Sequence, residues 1–255
     1  MRRREKFVIA SILLSLGFLG SQYVNLDYRY WAVLIFSLLS YLVSAWVLSD
    51  DLQRHELITI VPFPAFYSAA VGLFYFLLPE SLFSRIFILV LFSVGMYGLY
   101  LTLNIFSVAK GRSIQLLHAA HAIYLLFTLL TSLLFLNTIL SLKLPFWTNG
   151  ILTALTHFPL IFLSLWSIKL EPRVGGEIVP LSLMLTLVLV EMTMVLSFFP
   201  FSVWHIALFV MSTMYIGLGV FHSYLKDRLF INTLQEYSMV AGLVAIVFFI
   251  LLPWR

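Results

Sequence analysis

Two groups of polar residues in this sequence could do chemistry. The first is His157 and Glu191, with Pro159 two places after the histidine. A proline inside a helix removes the hydrogen bond to the carbonyl four residues earlier, so Pro159 would free the carbonyl of Leu155. A loose carbonyl, an imidazole and a carboxyl at one depth would form a polar pocket for a proton, a cation or a ligand hydroxyl. The same pair could instead clasp two helices together, contributing about 0.6–2 kcal/mol. The second group is Asn104, Lys110, Arg112, Gln115, His118 and His121. Gln115, His118 and His121 recur every third residue, which places them on one slowly winding helix face. Basic groups and imidazoles near a membrane surface can hold a headgroup phosphate, or simply snorkel to water. Two histidines three apart with no third ligand beside them do not make a zinc site, so neither a metal nor a cofactor is expected.

Both groups must be positioned by membrane helices. Hydrophobic residues make up 62% of the chain and charged residues 10%, with a mean hydropathy of +1.05. A soluble domain carries roughly 25% charged residues. Spans of about 20 apolar residues cross a bilayer. They are read at 7–24, 30–48, 58–78, 86–109, 115–142, 147–169, 179–199, 202–222 and 235–253. These runs are continuously apolar, whereas a membrane β-barrel alternates polar and apolar positions. The expected fold is therefore all-α, a polytopic transmembrane helix bundle of about nine spans. The basic start, Met1 to Lys6, resembles a signal peptide, but the apolar run that follows is long and lacks a good cleavage site, so it is read as an uncleaved first span.

Lys and Arg set the orientation. With the N-terminus inside and the C-terminus outside, only Arg29, Arg85, Lys143 and Arg255 of the fifteen basic residues face out. Trp31, Trp46, Trp147, Trp166, Trp204 and Trp254 fall at span ends, as interfacial anchors do. At 1.5 Å per residue, Glu191 lies roughly 13 Å below the boundary near Pro200 and His157 roughly 15 Å below Trp147. The sixth and seventh spans are antiparallel neighbours in sequence, so the two side chains could meet. Echoes such as Leu144-Pro-Phe-Trp147 and Leu252-Pro-Trp254, or Met96-Tyr97 and Met214-Tyr215, suggest a parallel repeat of four spans. The chain would then be one membrane domain, 1–255, with a leading helix at 1–29 and repeats at 30–145 and 146–255.

Several functions are disfavoured. The basic residues form no patch, so nucleic acid is not an expected partner. The chain has no cysteine, which removes disulfide and thiolate chemistry. His55-Glu56-Leu57-Ile58-Thr59 misses the zinc-protease pattern because Thr59 replaces its second histidine. No phosphate-binding glycine loop and no serine-hydrolase elbow occurs, and no lysine sits mid-span to hold retinal.

The stretch Asn104-Ile-Phe106, Arg112, Ile114-Gln-Leu-Leu117, Ala119-Ala-His121 and Leu144-Pro-Phe-Trp147 resembles uncharacterised polytopic membrane proteins of bacteria with very small genomes. The resemblance implies a bacterial inner membrane and carries no activity with it. Three functions stay open. The first is transport or binding of a small or lipidic molecule within the bilayer. The second is a non-catalytic scaffold or assembly subunit that packs against other membrane subunits. The third, ranked last, is a membrane enzyme acting on a lipid-linked substrate. The bilayer itself is the expected partner in all three.

Overall fold

A computed structural model describes residues 3–50, 52–79, 81–109, 116–171 and 175–250. All the long elements are helices: α1 (Arg3–Ser21), α2 (Arg29–Leu48), α3 (Glu56–Thr59), α4 (Pro62–Tyr75), α5 (Leu82–Val108), α6 (Leu116–Ser141), α7 (Phe146–Lys169), α8 (Ile178–Leu196), α9 (Val203–Leu225) and α10 (Ile231–Ile250). Taking α3 and α4 together, eight helical stretches are long and apolar enough to cross a membrane. The ninth long helix, α1, opens with Arg3, Arg4, Glu5 and Lys6 and is charged through its first turn. The chain is thus an all-α, multi-pass membrane bundle, and each expected span has a helical counterpart.

The third span differs from expectation, because it is broken rather than continuous. Pro62 and Pro64 have no N–H to donate. The Val61 amide reaches back five residues to the Glu56 carbonyl at 3.1 Å. This leaves the Leu57 carbonyl without its helical donor. The Tyr41 hydroxyl of α2 donates to it at 3.1 Å, because a bare carbonyl in hydrocarbon is costly.

The chain divides into two compact units, Met1–Phe127 and Thr128–Arg255. In the first unit α1 packs on α2 and α5, and α2 packs closely on α4. The leading helix is therefore built into this unit. Ser37 and Ser40 of α2 donate to the Ala65 and Pro64 carbonyls, and Ser68 donates to Ser40 at 2.8 Å. Small hydroxyl residues let the two backbones approach and give them hydrogen bonds where lipid offers none. Beside this seam Phe18, Phe36, Tyr67 and Phe92 form a ring cluster, with Phe18 and Phe92 centroids 5.0 Å apart. Tyr67 reaches α5 at Gly95, where a Cβ would overlap its phenol.

In the second unit α7 and α8 are the most closely packed pair, and α9 packs on both and on α10. Ser182, Thr186, Thr193 and Ser197 each donate to the carbonyl four residues earlier at 2.7 Å. Their polar atoms are thereby bonded inside their own helix. Asn149 on α7 donates to Ser197 at 3.1 Å.

Gly95→Ala should cost about 1–3 kcal/mol through overpacking against a buried tyrosine. Gly242→Ala, with open space around it, should cost nothing. Thermal unfolding of the two variants in detergent checks the contrast.

Candidate functional site

His157 and Glu191 do not form the shared pocket that their depth suggested. His157 is fully buried. Its Nε2 pairs with the Ser132 hydroxyl at 2.9 Å. Its Nδ1 lies 3.0 Å from the Thr153 carbonyl and 2.9 Å from the Thr156 hydroxyl. Both ring nitrogens are satisfied inside the second unit. Glu191 points the other way and is exposed on α8. Depth along a helix is one coordinate, and angle around it is the other. The buried face of α8 carries Ser182, Thr186, Leu189 and Thr193. Glu191 shares instead the stripe of Met184, Leu187 and Val195, which are exposed by 60%, 58% and 56%. The hydroxyl spacing on α8 was the signal that could have placed it. Pro159 lies within α7, which runs unbroken past it.

The second expected group is only partly described. Lys110, Arg112 and Gln115 lie outside the described residues. His118 is exposed and Asn104 half-buried. His121 stacks on Phe106, 5.2 Å between centroids. Among the described residues, no group of three or more His, Asp or Glu is arranged to hold a metal ion.

A carboxylate that sequence reasoning passed over is buried close by. Glu56, 1% exposed, accepts from the Gln53 amide at 2.8 Å and the Ser107 hydroxyl at 3.1 Å. Its place at the start of a span hid it, because helix starts usually face water. Here α3 tucks that start beneath the end of α5.

The best-formed recess lies at the opposite end of the first unit, where α1 ends, α4 ends and α5 begins. Gln22, Tyr23, Val24, Asn25, Tyr75, Phe76, Leu78 and Arg85 enclose about 340 Å³, within the range of small-ligand sites. Gln22 is only 6% exposed. Neither its amide nitrogen nor its amide oxygen has a hydrogen-bond partner among the described residues. A buried amide left unbonded costs about 1–3 kcal/mol. The Arg85 guanidinium lies 5.2 Å from the Tyr23 ring centroid, in cation–π range. Tyr75 closes the wall, its ring edge-on to Phe18 at 6.0 Å, so the aromatic cluster separates the recess from the seam of α2 and α4.

A second recess shares Tyr23 and Arg85 with the first. It is lined otherwise by Leu19, Ser81, Leu82, Ile86 and Leu89 and holds about 430 Å³. One recess is polar and the other mostly apolar, with a single cation between them. Sequence reasoning took Arg85 for a topology signal and gave Gln22 no role inside the first span, because the turn that brings them together is tertiary.

Ser132→Ala and His157→Ala should each destabilise the protein by about 1–3 kcal/mol, since the remaining partner stays buried and unbonded. A double-mutant cycle should give Ser132 and His157 a coupling of about 0.6–2 kcal/mol. The same cycle between His157 and Glu191 should give none.

No protein-family model, curated protein or solved structure matches this chain.

Proposed function

We propose that this protein binds an amphiphile with an anionic head and an acyl chain, at the end of the first unit formed by α1, α4 and α5. The observation that carries the reading is the paired recess. Gln22 and Arg85 offer an acceptor, a donor and a positive charge to a head. Leu19, Leu82, Ile86 and Leu89 offer an apolar groove to a chain. Arg85 lies at the junction, where a phosphate or carboxylate of a lipid would sit. Arg suits that place because its planar fork can bond two oxygens at once.

We place the protein in a bacterial inner membrane with nine spans, the N-terminus inside and the C-terminus outside. The charge bias supports this reading, since eleven of the fifteen Lys and Arg then face the cytoplasm. The recess then opens to the outer leaflet. A ligand would enter sideways from the bilayer rather than from water.

Native mass spectrometry of the delipidated protein, titrated with phosphatidylglycerol or phosphatidylcholine, tests the binding. Phosphatidylglycerol should bind the more tightly, and Arg85→Ala or Gln22→Ala should weaken it about tenfold or more by loss of a hydrogen bond to a charged group. Equal affinity for the two lipids, or unchanged affinity in Arg85→Ala, would sink the proposal. Because the chain has no cysteine, single substitutions report its topology cleanly. In intact cells an impermeant maleimide should label Tyr28→Cys and leave Glu5→Cys untouched.

A further inference from the structure

Glu191 lines neither recess of the first unit, and its surroundings are unusual. It lies about 20 Å from the start of α8 and about 8 Å from its end at a rise of 1.5 Å per residue. Met192, Val195, Leu196 and Phe209 form a groove with it, of about 290 Å³, between α8 and α9. No hydrogen bond or ion pair reaches its carboxyl among the described residues. The stripe it interrupts is wholly apolar, with Leu183, Met184, Leu187 and Val195 each more than half exposed. Acidic groups within membrane spans are rare; they face a protein interior or a water-filled cavity and pair there. A carboxyl turned to acyl chains, beside an open apolar groove, breaks that rule unless something covers it.

We propose that this groove is the docking face for a transmembrane helix of a different membrane protein, one that brings a Lys or Arg to the depth of Glu191. The occupant follows from charge complementarity. A carboxyl away from water is best satisfied by a cation that also donates hydrogen bonds. The described residues of this chain offer none at that depth. Among the described residues, every Lys and Arg lies in a first turn, at a last residue or outside a helix. The described residues of a second copy therefore bring no base to this level. Lipid headgroup amines stay at the membrane surface. A helix with an intramembrane base remains, and the groove beside Phe209 would receive its apolar side chains.

The test uses the full chain in the membranes of its own cell, with photoreactive benzoylphenylalanine in place of Val195. The expected product is an adduct to one membrane segment that carries a Lys or Arg within its apolar span. Glu191→Leu should lower its yield about tenfold or more, as truncating one member of a buried charge pair does. Replacing the partner's base with Leu should do the same. Glu191→Leu faces lipid, so the melting temperature of the purified variant should not fall, which separates lost docking from lost folding. Adducts to lipid only, an adduct with twice the mass of the chain, a captured segment with no base, or a yield indifferent to Glu191→Leu would each overturn the proposal.

Discussion

Every polar atom of this chain that enters the membrane must find its partner within protein, because hydrocarbon offers none. That constraint explains most of the structure. The hydroxyls of α8 fold back onto their own helix. Tyr41 takes up the carbonyl released where the prolines break the third span. His157 has both ring nitrogens occupied. Polar residues here hold helices together by being satisfied at their contacts, which is how membrane bundles cohere without a hydrophobic force between spans.

Against that background two groups stand out. Gln22 is buried with both ends of its amide unbonded, and Glu191 faces outward along an apolar stripe. These are two kinds of incompleteness. The Gln22 recess joins an apolar groove through one arginine, which suits a ligand with a head and a tail. The Glu191 groove is shallow and open to the side, which suits a helix. The two lie in different units and demand different occupants. Glu56 gives the contrast, since it is as buried as any described acid and is hydrogen-bonded in place.

The expected and observed sites differ for a geometrical reason. His157 and Glu191 were paired by depth, which counting residues from a boundary gives well. Their side chains diverge because each helix is turned so that its hydroxyl and small residues face its neighbour. On α8 those residues are Ser182, Thr186 and Thr193, and Glu191 stands off their face. Arg85 and Gln22 are separated by two whole spans of sequence, and neither is notable alone. Their meeting depends on α1 packing against α5, a contact that no local pattern announces.

The amino-acid sequence by itself determined the class of fold and the apolar stretches that become long helices. Each follows from local physics: apolar runs long enough to cross oil, charges at their ends, and prolines that cannot donate. Tertiary structure alone decided which polar groups are buried, which are bonded and which are left open. Helix rotation and partner choice decide those outcomes. Both are set by the summed contacts of many weak side-chain pairs between segments far apart in the chain.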